Sequence, residues 1–179
     1  MTVLVAAVVL VGILGAVNLL FCLGVIRRLR EHTEILDSLT DGHAGGRDLI
    51  LPAGETAAEF AAVSVGGRAV SRDAMAGPTL VAFFSPGCTP CAEQLPHFVD
   101  LARTHSPEQV LAVVCGPGDA TPLVGSLRDV AEVVREETTG PLQEAFAIRG
   151  YPSFAVVEPG GLVRQAAQRV DGLPALSPA

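Results

Sequence analysis

Hydrophobic positions along this chain first run almost without a break, then thin out, then return as short clusters separated by glycine and proline. The opening run, Val3 to Ile26, is uncharged and mostly aliphatic. As a helix it is long enough to cross a hydrocarbon core of about 30 Å with some tilt. A cleaved leader would show a basic start, a shorter apolar core and small residues before the polar region, and none of these is seen. We therefore read residues 1–28 as a retained single-pass anchor. Residues 29–51 follow as a juxtamembrane helix and linker. Leu29, Leu36 and Leu39 fall on one side, Arg27/Glu31 and Arg30/Glu34 are spaced for ion pairs, and Asp41 to Gly46 reads as flexible.

Residues 52–170 carry the pattern of a folded domain. Glu59 to Val65 and Gly66 to Val70 predict a hairpin with a glycine turn. Leu80-Val81-Ala82-Phe83-Phe84 lacks polar alternation, as a strand covered on both faces of an α/β sheet does. Pro86-Gly87 ends it, and Leu95, Phe98, Val99 and Ala102 share one face of a helix from Thr89 to about Thr104. Gln109 to Cys115 predicts a second buried strand, Thr121 to Arg128 a helix, Ala131 to Arg135 a short strand and Pro141 to Ala147 another helix. Ser153 to Val157 and Leu162 to Val170 form a closing strand pair, joined by Glu158-Pro159-Gly160-Gly161. Residues 171–179, broken by Pro174 and Pro178, make an irregular tail.

Composition narrows the function. Net charge is −7, all 12 basic Lys+Arg positions are arginine, and no dense basic stripe is present, so a nucleic-acid partner is not expected. Of the 4 cysteines, Cys22 lies in the apolar segment behind Leu19-Leu20-Phe21, a poor context for lipidation, and reads as an apolar membrane residue. Cys115 closes the second strand; a buried inert thiol is the favoured account, with a third redox cysteine as the alternative.

Cys88-Thr89-Pro90-Cys91 is different, because it falls at the start of the predicted helix. Unsatisfied N–H groups and the positive end of the macrodipole favour a thiolate there. Cys88 is thus the expected nucleophile, with a pKa moved from about 8.5 towards about 7 or lower. Cys91, nearly one turn on, is close enough to close a disulfide and is the expected shielded, resolving thiol. Pro90 stands where the helix start does not need an N–H. A pair of buried small residues or half of a zinc site are the alternatives. Zinc's tetrahedral set finds no second CxxC and no His pair at metal spacing, so neither a metal nor a cofactor is expected.

A strand, Cys88-Thr89-Pro90-Cys91, Pro96 in the following helix, and downstream Gly150-Tyr151-Pro152-Ser153 leading into Phe154-Ala155-Val156-Val157 come in a telling order. Over roughly Pro52 to Val170 the chain resembles the thioredoxin superfamily, in particular the membrane-anchored TlpA, ResA and MauD type of thiol-disulfide oxidoreductase. The resemblance implies a thioredoxin-like α/β fold: a central mixed sheet flanked by helices, with an N-terminal β-hairpin extension, preceded by a single transmembrane helix. It implies Cys88 and Cys91 as the catalytic pair and a cis Tyr151–Pro152 bond facing Cys88. It also implies Tyr151, Pro152 and Pro90 as the residues flanking the substrate, with the Pro152 loop pairing an extended peptide. Without the resemblance, a proline before a strand could equally be a trans edge residue. The implied partners are protein thiols or disulfides and an upstream redox donor or acceptor.

The chain departs from the family's pattern in places. Thioredoxin's buried strand aspartate is Ala82 in this sequence, and the glutamate often found after the second cysteine in the TlpA and ResA group is Gln94. Deprotonation of Cys91 then falls to water or to an acid such as Glu93, and slower resolution of mixed disulfides is expected. The family's closing helix has no counterpart after Val170, so either the helix at Thr121 spreads over the gap or an apolar patch stays open.

Orientation divides the two lines of inference. Arg27, Arg28 and Arg30 directly after the anchor favour a cytoplasmic domain by the charge rule. The resemblance implies the outer face of the cell membrane, and that is the side we take. The expected function is membrane-tethered disulfide exchange on protein substrates. Two alternatives stand beside it: a peroxiredoxin-like thiol peroxidase, and a non-catalytic MauD-like maturation or assembly factor.

Overall fold

In the computed structural model the described residues are 49–137 and 139–173, together with Met1, Gly12 and Leu14. Apart from those three residues, the anchor read over residues 1–28 lies outside the described residues, as do most of the linker read over 29–51 and residues 174–179 of the tail. Among the described residues no helix is long and apolar enough to cross a membrane. The chain divides into units 1–47 and 48–179, and the strands of the described residues lie in the second.

A hairpin of β1 (Ala61–Val63) and β2 (Ala69–Ser71) precedes the main sheet. The main sheet is built from β3 (Thr79–Phe84), β4 (Val110–Cys115), β5 (Glu132–Glu136), β6 (Ser153–Val157) and β7 (Val163–Ala167), in the order β5-β4-β3-β6-β7. Every residue of β3 and β4 is buried, as the unbroken apolar runs predict. β3 is central, parallel to β4 and antiparallel to β6, with Ala82 opposite Ala112 on one side and Phe154 on the other. The α-helices around this sheet are α1 (Thr89–Ala102), α2 (Thr121–Leu127) and α3 (Pro141–Ala145). Strand order advances in one direction through β3, β4 and β5, so right-handed crossovers put α1 and α2 on the same face.

Alternate strand residues feed two cores. Leu80, Ala82 and Phe84 face α1 and α2, with Phe84, Phe98 and Phe154 in ring contact at centroid distances of 5.3 to 5.8 Å. Val81, Phe83 and Cys115 face α3, where Phe146 packs between Phe60 and Phe83 at 5.8 and 5.5 Å. Both sheet edges are covered. The bridge Ser64–Val134 and the bond from Val65 N–H to Val133 O (2.7 Å) lay the hairpin along β5, and residues 54–57 bond to Gly161 and Val163 at the start of β7.

Several boundaries differ from the sequence-based expectation. Among the described residues, Leu49, Ile50 and Leu51, ahead of Pro52, already join the domain: Ile50 is buried, Leu51 N–H donates to Phe146 O, and Arg149 N–H donates to Leu49 O. β7 stops at Ala167 instead of running to Val170, because Val170 opens a 3-10 turn (Val170–Gly172) pinned to α1. Residues 171 and 172, expected in the irregular tail, belong to that turn. Val170 and Leu173 cover the apolar face for which a closing helix was missing. In the described part of the domain the exposed large apolar side chains are Val63, Val65 and Leu162, none of them on this face.

Candidate active site

β3 delivers the chain to the turn Ser85-Pro86-Gly87, where Gly87 has φ 73°, a left-handed conformation costing a residue with a Cβ about 1–2 kcal/mol. Cys88 then caps α1 with its side chain: Sγ accepts the Cys91 N–H at 3.2 Å, in the place usually taken by a serine or aspartate oxygen. Pro90 sits exposed in the first turn. Cys88 and Cys91 are joined by a disulfide with their Cα atoms 5.2 Å apart. They differ in access: Cys88 is half-buried and Cys91 is 1% exposed.

The second predicted landmark meets the first in space. Tyr151–Pro152 is a cis peptide, Pro152 is buried, and the Tyr151 carbonyl oxygen lies 3.7 Å from Cys88 Sγ. The phenol is turned the other way. It packs between the two cores, and its hydroxyl donates to Gln143 Oε1 at 2.6 Å. Burial, and then the neighbouring Cys115, push the Tyr151 hydroxyl above its ordinary range. What Tyr151 presents to Cys88 is therefore backbone.

The acids and amides near Cys91 are also fixed by the helix face. Glu93 is exposed, whereas Gln94, one turn beyond Cys91, is buried and its Oε1 accepts the Val170 N–H at 3.0 Å. Cys115 is a free buried thiol that donates to Val113 O at 3.8 Å. Desolvation, with the nearby Glu136 charge behind it, pushes Cys115 up to about 12, and the thiolate needed for redox attack is disfavoured there. Cavities of about 390 Å³ by Arg135 and α2 and about 350 Å³ by Arg72 are lined by neither cysteine of the pair nor Pro152.

Two polar residues behind Tyr151 escaped the sequence reading. Glu136 is buried at the end of β5, and its carboxylate accepts the N–H groups of Leu142 and Gln143 at the start of α3. The available signal was an acid at the end of a strand, followed closely by Gly140-Pro141, a helix start whose first N–H groups need acceptors.

No protein-family model matches the chain, and no curated protein matches it. Solved structures do. A thiol:disulfide interchange protein from a Bacteroides species is 20% identical, with a TM-score of 0.54 over 68% of this chain and 85% of that one. A thiol-disulfide oxidoreductase from Bacteroides fragilis is 17% identical, with a TM-score of 0.53 over 66% of this chain and 94% of that one. A thio-disulfide isomerase from Thermus thermophilus is 18% identical, with a TM-score of 0.51 over 66% and 87%. At such identities the likeness is one of fold: residues 49–173 of this chain have a thioredoxin-like α/β fold.

Proposed function

We propose that this protein is a membrane-tethered thiol-disulfide oxidoreductase acting on protein substrates. The observation that carries this is the unequal pair at the head of α1: an accessible Cys88 whose sulfur receives a backbone N–H, and an enclosed Cys91 within bonding reach. In the reduced protein the helix start favours the Cys88 thiolate. That thiolate attacks one sulfur of a substrate disulfide; a mixed disulfide forms and a substrate thiolate leaves. Cys91, deprotonated, then attacks the Cys88 sulfur, which releases the second substrate thiolate and closes Cys88–Cys91. A pair of electrons passes to the substrate, and the Cys91 proton together with one from solvent, where Cys88 released its own, balances the departing thiolates. An upstream dithiol must return the electrons, and the reverse sequence oxidises a substrate dithiol.

The partial exposure of Cys88 suits a macromolecular partner, and the backbone around Pro152 suits an extended peptide laid beside Cys88. The apolar run Val3 to Ile26 supplies the tether, with the domain on the outer face of the cell membrane. Insulin reduction by the full-length protein tests the activity. Turnover should be lost in Cys88→Ala, and hydroperoxide should not be consumed; turnover surviving in Cys88→Ala would overturn the proposal. A membrane-impermeant thiol reagent applied to intact cells should label reduced Cys88, and labelling only after lysis would put the domain inside.

A further inference from the structure

Glu136, Gln143 and Tyr151 come from β5, α3 and the loop before β6, and they form a directed hydrogen-bond chain that ends beside Cys88. The carboxylate of Glu136 only accepts. It takes the Leu142 N–H at 2.8 Å, the Gln143 N–H at 3.1 Å and the Gln143 side-chain N–H at 3.0 Å. That fixes the orientation of the Gln143 amide, so Oε1 is left to accept from the Tyr151 hydroxyl at 2.6 Å. Gly140 leaves room for the acid, since a Cβ there would overlap the Glu136 carboxylate. Tyr151, held at its hydroxyl, carries its carbonyl oxygen to 3.7 Å from Cys88 Sγ. The other ionisable groups around the chain are the Cys115 thiol beside the Tyr151 hydroxyl, and Arg135, whose guanidinium bonds Val114 O, Gly116 O and Glu136 O.

We propose that Gln143, oriented by Glu136, is a positioning residue: through the Tyr151 hydroxyl it fixes where the Tyr151 carbonyl stands against Cys88, and so sets both the acidity of the reduced thiol and the seating of a peptide at Pro152. The inference rests on the exchange function proposed above. Two backbone groups compete at the Cys88 sulfur. The Cys91 N–H stabilises a thiolate, while a carbonyl oxygen accepts from a neutral thiol and repels the ionised one. Freeing the carbonyl tips this competition towards thiolate, and it also loosens the backbone on which a substrate docks.

The test is the pH dependence of Cys88 alkylation in the reduced full-length protein, followed at the Cys88 peptide by mass spectrometry, with KM and kcat for insulin beside it. Tyr151→Phe keeps the ring and removes the hydroxyl; Gln143→Leu removes the amide. Both should lower the alkylation midpoint and raise KM about three- to tenfold, the span of one net hydrogen bond. The double variant should do no more than either single one, because the two changes break the same link. An unchanged midpoint in Tyr151→Phe, or full additivity in the double variant, overturns the positioning role. A wild-type protein inactive on insulin overturns the exchange function instead, and the alkylation midpoints then still decide the positioning.

Discussion

The side-chain oxygen of Gln94 accepts the backbone N–H of Val170 at 3.0 Å, and both residues are buried. This bond ties the last turn of the described chain to the helix that carries Cys91, and lets Val170 and Leu173 cover a face that would otherwise need another helix. Gln94→Leu leaves the Val170 N–H buried without an acceptor, and a loss of about 1–3 kcal/mol is expected in urea unfolding. Gln94→Glu keeps an acceptor and adds a base one turn beyond Cys91. Trapping and timing the mixed disulfide should show faster resolution than in the wild type; no acceleration would overturn the expectation that the missing carboxylate slows resolution.

The unequal exposure of the two cysteines predicts unequal variants. Cys91→Ser should accumulate a mixed disulfide between Cys88 and substrate, visible as a reducible adduct on a non-reducing gel. Cys88→Ser should accumulate none, because the enclosed Cys91 cannot reach a substrate. Equal adducts from both variants would mean that either thiol can attack.

Cys115 predicts an alkaline limb. Its folded-state value is raised from the ordinary 9.0 to about 12, chiefly by desolvation, and the neutral thiol is the form the fold favours. The associated stability is fully present below pH 9.0 and is lost as pH climbs towards the folded value. Tyr151 is shifted in the same direction. Urea midpoints taken above pH 9.0 should fall with pH in the wild type and fall less steeply in Cys115→Ala. At neutral pH the folded protein should leave Cys115 unlabelled by thiol reagents.

Phe98 is fully buried between Phe84 and Phe154, so Phe98→Ala opens a cavity lined by rings. A cost of about 3–5 kcal/mol is expected in chemical unfolding, with the midpoint shifted and the slope kept. A loss below about 1 kcal/mol would show that the face beneath α1 collapses to fill the space.

Much of the molecule was written in near-neighbour terms. Unbroken apolar runs made β3 and β4 buried strands, the spacing of Phe98 and Ala102 oriented α1, and Pro86-Gly87 placed Cys88 where a helix begins. Those are properties of a few consecutive residues, and the chain carried them without help from the fold. The cis Tyr151–Pro152 bond opposite Cys88 came from resemblance to a known pattern, not from the local residues.

Tertiary structure decided what depends on residues far apart in sequence. It turned Gln94 inward and Glu93 outward, and gave Gln94 a partner in Val170. It turned the Tyr151 phenol away from the disulfide and into the core, leaving its carbonyl at Cys88. It also buried Glu136, which reads in sequence as an ordinary acid at a strand end. A buried carboxylate is tolerable only where donors converge on it. The donors are the first N–H groups of α3 and the Gln143 amide.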